Sequence, residues 1–253
     1  MKNKSFLFAM LFLLSITFLT YAQDMKPEAG KLYNEGNALL KDGNTSGAIE
    51  KYNAALQIEK DYRIYYQKGI ALKKADKLED AKVAFEECIK LNKDFDGGLN
   101  ALGGVYFSMG NYAAAIDNFN KILNSNASNS VKEKVKKNIS LAYAKLGNEA
   151  LAGGSAEKGI EYLKKAVEND NYDAAYLSLA KVYSELGKWD ESISAAENAL
   201  KYRLKITKGG PYFYMGISYR GKGDIAKAKD MFKQAASDPT YKKTAEYELG
   251  VTK

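Results

Sequence analysis

The chain has 253 residues, a formal net charge of +7 and a hydrophobic content of 46%, a composition that fits a globular protein. It contains no histidine, so the commonest general base and metal ligand is absent. Its single cysteine, Cys88, excludes an intrachain disulfide. We therefore expect no catalytic residue, no bound metal and no cofactor.

The first 22 residues form a separate segment. Lys2 and Lys4 precede an uncharged stretch whose apolar centre, residues 6–19, has the length of a signal-peptide core rather than of a membrane span. Small residues close to position 22 fit the usual cleavage spacing, which predicts a signal peptide at 1–22 and a short N-terminal segment at 23–28. Cleavage predicts a bacterial protein of the periplasm or the cell exterior, with no stable membrane insertion afterwards. An uncleaved anchor is the competing interpretation.

A small residue then recurs at intervals of 33, 34, 44, 33, 36 and 34 residues, at Gly36, Gly69, Gly103, Gly147, Ala180, Gly216 and Gly250. A fixed period in this range indicates a solenoid of stacked supersecondary units. A second small residue follows 12 positions later in six units, at Ala48, Ala81, Ala115, Gly159, Ser192 and Ala228. Four positions further on stands a bulky apolar residue in five of the six units, at Tyr52, Phe85, Phe119, Leu163 and Phe232, with Ala196 in the fifth unit. Small residues let two helices approach closely, and the large side chains fill the space beside the crossing.

A turn is predicted seven positions after the first small residue of each unit. Glycine occupies this position at Gly43, Gly110, Gly154, Gly187 and Gly223, and Asp76 replaces it in the second unit. Glycine readily adopts the left-handed conformation that ends a helix. Each unit therefore reads as helix, tight turn, helix.

The fourth interval is about ten residues longer than the others. We assign the extra residues to an insertion at 124–139, predicted to be a loop followed by an extra turn or two on the next helix. Repeats 1–3 then occupy residues 29–123 and repeats 4–6 occupy residues 140–237. Residues 238–253 are predicted to form a capping helix and tail, because a solenoid needs a polar-faced end.

These units resemble tetratricopeptide repeats, as the third unit shows at Leu99, Ala101, Leu102, Gly103, Tyr106, Gly110, Tyr112, Ala115 and Phe119. Six such repeats cover roughly residues 29–237. The resemblance implies an all-α fold, a right-handed superhelix of helix pairs with a concave groove lined by the first helix of each pair. It also implies a protein that binds peptides or partner proteins.

The same family contains a clamp of lysine, asparagine and arginine that holds the carboxylate end of chaperone peptides. Of its positions, only Asn37 matches here, and Tyr33, Gln67, Gly97 and Ala101 occupy the others. We therefore do not expect chaperone-tail recognition.

Helical geometry places the residues three before, one after and four after the small residue on the concave side of each first helix. From these positions we select as partner-binding candidates Tyr33, Asn37, Tyr66, Lys73, Asn100, Phe107, Asn148, Lys181, Ser184, Phe213 and Arg220. The resulting surface mixes rings, amides and cations and lacks acids, a combination typical of binding hot spots. For Tyr33 and Tyr66, packing between repeats is an equally good interpretation.

Three other features favour structural interpretations. The segment Gly216–Gly223 has the outline of a phosphate-binding loop, but Gly223 stands where a magnesium-holding hydroxyl is needed, so nucleotide binding is not expected. Cys88 occupies a position filled mainly by alanine and is predicted to be a small buried residue. The basic run Lys132–Lys137 is either an exposed helix start or a contact for an anionic envelope surface.

The leading functional hypothesis is a non-enzymatic scaffold of the cell envelope that binds a peptide or protein partner in the concave groove. The alternative is a module that binds envelope glycan or peptidoglycan, because exposed rings stack on sugars. Nucleic acid is not expected as a partner, because acidic residues are interspersed with the basic ones and the chain carries an export signal. The identity of the partner and the oligomeric state are left open.

Overall fold

The computed structural model describes residues 25–252, so the predicted signal peptide lies outside the described residues. Within this range the chain is helical and contains no strand. Its helices are α1 (Pro27–Lys41), α2 (Thr45–Ile58), α3 (Tyr62–Lys74), α4 (Leu78–Leu91), α5 (Asp96–Ser108), α6 (Tyr112–Leu123), α7 (Asn129–Ala152), α8 (Ala156–Asn169), α9 (Asp173–Glu185), α10 (Trp189–Lys201), α11 (Gly209–Gly221), α12 (Ile225–Ala236) and α13 (Lys242–Val251).

The helices form six successive pairs, from α1–α2 to α11–α12, and α13 packs on the last pair. The predicted repetition of helix, turn and helix is thus confirmed, and the fold is an all-α repeat superhelix. First helices of neighbouring pairs also contact each other, at α1–α3, α3–α5, α7–α9 and α9–α11, which aligns them along one face. Helices α5 and α7 approach each other less closely than the helices in these four contacts do.

The turn within each pair contains one residue in the left-handed region, as predicted. Five are glycines, with φ between 70° and 84°, and the sixth is Asp76 with φ of 58°. Aspartate tolerates this conformation better than most residues because its short polar side chain can bond locally to the backbone. The register read from the glycines therefore holds through the one unit that lacks a glycine.

Large side chains of the second helices lie directly on glycines of the first helices. A Cβ atom added to Gly103 would come within 2.6 Å of Cε1 of Phe119, and one added to Gly69 within 2.5 Å of Cε1 of Phe85. The first, fourth and sixth pairs repeat this arrangement. The fifth pair carries Ala180 instead of glycine, and there the ring position, 16 residues later, is also an alanine. A large side chain on the second helix therefore occurs together with a glycine on the first helix, because the crossing has no room for side chains from both helices.

The insertion before the fourth pair lengthens a helix more than predicted. Helix α7 has 24 residues, against 13 in α5, so the extra length is about three turns rather than one or two. The helix begins where the Ser128 hydroxyl accepts a hydrogen bond from the N–H of Val131, at 3.4 Å. Val131, Val135 and Ile139 then recur at a spacing of four and pack on Phe119 and its neighbours, and this apolar stripe explains why the segment is helical.

The chain ends in a single helix. Helix α13 buries Ala245 completely against the sixth pair, while Tyr247 on the same helix is 68% exposed. Nowhere in residues 25–252 does the chain form a helix of the length and hydrophobicity needed to span a membrane.

Candidate binding groove

A concave cavity of about 400 Å³ lies between α3, α5 and the first half of α7. Four of the predicted groove residues line it together, namely Tyr66, Lys73, Asn100 and Phe107. The cavity lies beside the gap between α5 and α7, the neighbouring first helices that approach each other least closely. We call this space the central cavity.

Two further lining residues, Asn138 and Leu141, were missed by the sequence argument. Asn138 lies on the added turns of α7, whereas Leu141 lies in the first turn of the part that keeps the repeat register. The offsets used to select groove residues therefore do not reach them. The run of apolar residues at every fourth position, beginning at Val131, is the sequence signal that predicts a helix here.

The aromatic residues of the central cavity also pack within the protein. The ring of Tyr66 contacts Phe95 edge-on, with centroids 5.0 Å apart, and lies 5.9 Å from the ring of Phe85. Phe107 meets Tyr112 at 5.1 Å. Burial raises the pKa of the Tyr66 hydroxyl, so the group remains a neutral hydrogen-bonding partner. Tyr66 thus packs between repeats and also lines the cavity, so the two interpretations of this residue are compatible.

The polar side chains of the central cavity are amides and an ammonium group. The carboxamide Nδ2 of Asn138 donates to Oδ1 of Asn100 at 3.3 Å, which joins the added part of α7 to α5. The Nζ of Lys73 lies 3.5 Å from the place where a Cβ of Gly104 would stand, so it projects over the floor of the cavity. Among the described residues that line this cavity there is no carboxylate. An anionic or amide-rich ligand suits such a lining.

The predicted candidates of the first pair are engaged in local structure. The hydroxyl of Tyr52, which is fully buried, donates to Oδ1 of Asn37 at 2.8 Å. The ring of Tyr33 lies 6.2 Å from that of Tyr52. Burial raises the pKa of Tyr52 to about 12, so this hydroxyl stays protonated. Asn37 thus satisfies a buried donor, and neither Tyr33 nor Asn37 lines the central cavity.

The candidates of the fourth and fifth pairs are also separate from this cavity. Asn148 is exposed near the end of α7. Ser184 is only 6% exposed, and its hydroxyl donates to the carbonyl of Lys181 at 2.7 Å, so its assignment to the groove surface is wrong. The ammonium of Lys181 lies 3.9 Å from the carboxylate of Glu185, one turn along the same helix.

In the sixth pair, side chains from the C-terminal segment contact the predicted groove residues. Phe213 packs on Phe232 and Tyr241, with ring centroids 5.9 Å and 5.6 Å apart. Arg220 forms an ion pair with Glu248 of α13. The prediction of an acid-free groove therefore fails here, because the acid comes from a helix that the offsets did not include.

A smaller cavity of about 160 Å³ also lies against the middle of α7. Leu141 lines it as well as the central cavity, and Lys137, Tyr172, Leu204 and Lys205 lie around it. Leu204 is 88% exposed. We call this space the second cavity.

The loop that carries Leu204 is held by one buried carboxylate. Oδ2 of Asp173 accepts hydrogen bonds from the backbone N–H groups of Leu204, Lys205 and Ile206, at 2.7, 2.7 and 3.1 Å. Its Oδ1 accepts from the N–H of Ala174 at 2.9 Å. Burial opposes ionisation of Asp173, but these four donors outweigh it and hold the pKa of the carboxyl below its usual value. The backbone that carries the exposed leucine is therefore fixed in place.

The remaining sequence features have structural explanations. Cys88 is fully buried, and burial raises the pKa of its thiol to about 12, so it is not an activated nucleophile. Most of the segment that resembles a phosphate loop lies inside α11, and no strand precedes it in the part of the chain that the structure describes. Over the same residues, no cluster of three or more acidic or cysteine side chains is arranged to hold a metal. Within the basic run, Lys136 pairs with Glu133 at 2.8 Å.

Several curated proteins are similar to this chain over part of their length. A probable UDP-N-acetylglucosamine--peptide N-acetylglucosaminyltransferase SPINDLY from Hordeum vulgare is 24% identical over 180 residues, which are 70% of this chain and 19% of that protein. DnaJ homolog subfamily C member 3 from Homo sapiens is 25% identical over 196 residues, which are 75% of this chain and 38% of that protein. The chain thus spans about a fifth to two fifths of the length of these two relatives.

Solved structures and family models agree on the fold. The crystal structure of YrrB, a TPR protein with an unusual peptide-binding site, superposes with a TM-score of 0.51 at 19% identity, covering 79% of this chain and 98% of that one. Models described as tetratricopeptide repeat match residues 62–95, 98–129, 144–211 and 212–240, together more than half of the chain. The chain therefore belongs to the tetratricopeptide repeat family.

Proposed function

We propose that this protein is a non-enzymatic scaffold of the bacterial cell envelope, and that it binds an extended peptide or a segment of a partner protein in its concave groove. The observation that carries the proposal is the central cavity, where rings, amides and a lysine meet and no residue of the described lining is a carboxylate. Rings supply contact area at low entropic cost, and the amides can bond to peptide groups. Family membership supports the same class of function.

The predicted signal peptide supports the envelope location. Lys2 and Lys4 followed by the apolar segment 6–19 have the organisation of a signal peptide. Mass spectrometry of the N-terminus of the protein from its own cells tests this part. A chain that begins at Gln23 in the envelope fraction supports the proposal, and a chain that keeps residues 1–22 overturns cleavage.

A crosslinked pull-down tests the groove. The bait is the protein itself, compared with the double variant Asn100→Ala and Phe107→Ala, which removes an amide and a ring from the central cavity. A matched control, Asn53→Ala with Val83→Ala, removes an exposed amide and an apolar side chain from the second helices α2 and α4. We expect the groove variant to lose a partner that the control retains.

Both variants must unfold at temperatures close to that of the unaltered protein for the comparison to hold. Equal capture by the groove variant and the control would refute the assignment of the groove. Recovery of glycan without protein would instead support the alternative hypothesis of envelope glycan binding.

A further inference from the structure

The middle of α7 contributes residues to two cavities. Leu141 lines the central cavity and the second cavity, Asn138 faces the first and Lys137 faces the second. Leu141 lies one turn after both of the others, four residues after Lys137 and three after Asn138, so its side chain neighbours each of them on the helix surface. The two cavities therefore adjoin across a single leucine side chain.

The two cavities together carry a positive charge. Lys73 projects into the central cavity, and Lys137 and Lys205 line the second. None of these three lysines forms an ion pair within residues 25–252. Of the two carboxylates that line the second cavity, Asp173 is 2% exposed and bonded to four backbone N–H groups, which leaves Asp170 as its one accessible acid.

The amide pair adds a second kind of complementarity. Because Asn138 uses one N–H to reach Oδ1 of Asn100, the Nδ2 donors of Asn100 and the Oδ1 acceptor of Asn138 remain. A donor and an acceptor side by side match the C=O and N–H groups of an extended peptide backbone. The exposed side chain of Leu204, whose backbone N–H is held by Asp173, provides an apolar contact at the other end.

We propose that the two cavities form one tract for an acidic, extended peptide segment of a partner protein. An aliphatic side chain of this segment packs over Leu141 towards Leu204, and its acidic side chains lie on either side, near Lys73 and near Lys137 with Lys205. This inference rests on the proposed function, since it names the kind of partner that the same groove binds. Charge complementarity favours acidic peptides, because a basic segment would place its cations opposite the lysines of the two cavities.

The test is a selection from a displayed library of random peptides about twelve residues long, which span roughly 40 Å when extended. The protein and its double variant Asn100→Ala with Phe107→Ala are used as separate baits. We expect peptides enriched on the unaltered protein to carry Asp or Glu on both sides of an aliphatic residue.

The most enriched peptide is then labelled and its affinity is measured by fluorescence anisotropy. The triple variant Lys73→Gln, Lys137→Gln and Lys205→Gln is expected to weaken binding by between about threefold and about a hundredfold, since each exposed ion pair contributes about 1.4- to 5-fold. The control triple variant Lys74→Gln, Lys134→Gln and Lys145→Gln makes the same change in net charge at exposed lysines outside both cavities. It is expected to bind almost as tightly as the unaltered protein.

The outcomes separate this inference from the proposed function. Enriched peptides without acids that still require Asn100 and Phe107 would overturn the acidic specificity and leave the peptide-binding groove intact. An equal loss of affinity in both triple variants would also overturn it, because net charge alone would then explain binding. A selection that enriches the same peptides on the unaltered protein and on the groove variant would count against the proposed function itself.

Discussion

The third and fifth helix pairs keep the same sequence register but use it differently. In the third pair Phe119 lies on Gly103, and Asn100 and Phe107 face an open cavity. In the fifth pair alanines replace both the glycine and the ring, and the residue equivalent to Phe107, Ser184, is buried with its hydroxyl bonded to its own helix. The register thus determines the path of the backbone, whereas the side chains and their neighbours determine where the groove is open.

The first residue of the first helix shows the same contrast. Asp96 begins α5 and accepts a hydrogen bond from the Ser125 hydroxyl at 2.9 Å. Asp173 begins α9, seven residues before the small residue as Asp96 does, and accepts three backbone N–H groups of the loop that follows its pair. One position therefore fixes a loop weakly in one pair and firmly in the other.

The largest effect is expected at the crossing of the third pair. Phe119→Ala should lower the free energy of unfolding by about 3–5 kcal/mol, because it leaves a cavity in the core. Gly103→Ala alone should cost about 1–3 kcal/mol, because the new Cβ would lie 2.6 Å from the ring. The double variant, which reproduces the alanines of the fifth pair, should be more stable than the sum of the two losses predicts.

Chemical denaturation of all four proteins measures this coupling. If Gly103→Ala has the same cost with and without the ring of Phe119, the steric explanation of the glycine column is wrong.

The next effect is expected at the loop held by Asp173. Asp173→Asn should destabilise the protein by about 1.5–3 kcal/mol at neutral pH, because a buried anionic acceptor of backbone N–H groups is replaced by a neutral one. Asp96→Asn is the matched control and should cost less, because its carboxylate accepts a single side-chain hydroxyl. Thermal unfolding of the two variants gives the comparison, and equal losses would contradict it.

The same comparison predicts a pH dependence. The pKa of Asp173 is lowered in the folded protein, so its contribution to stability is complete above the unfolded pKa of about 3.9 and is lost as the pH falls through the lower folded pKa. The difference in stability between the unaltered protein and Asp173→Asn should therefore shrink in acid. A difference that stays constant down to the lowest pH at which both proteins remain folded would show that the charge is not involved.

The smallest effect is expected at two buried serines. Ser192, which replaces the Ala115 of the third pair, donates to the carbonyl of Ala180 at 2.8 Å, so Ser192→Ala should cost about 1 kcal/mol. Ser140 on α7 is 1% exposed, and its hydroxyl oxygen has no hydrogen-bond partner in the described part of the chain. Ser140→Ala should therefore be neutral or stabilise the protein by up to about 1 kcal/mol. Unfolding curves that show equal losses for both variants would contradict this difference.

Sequence reasoning predicted the fold better than the groove. The turns and the helix crossings could be predicted, because each depends on residues a fixed number of positions apart in the chain. Tyr66, Lys73, Asn100 and Phe107 line one cavity because they belong to adjacent first helices, and their role in binding stays a prediction. The length of α7 was underestimated, since the apolar residues at every fourth position were not counted as part of the helix.

By itself, the sequence determined that the chain is a series of helix pairs in the tetratricopeptide register, because spacing along the chain sets which residues meet within a pair. The tertiary structure alone decided that the groove opens beside α7 and is filled beside α13. Arg220 is neutralised by Glu248, 28 residues further along the chain, and Leu141 lines two cavities beside the added turns of α7. Such contacts depend on how separate helices pack, and the repeat period carries no information about them.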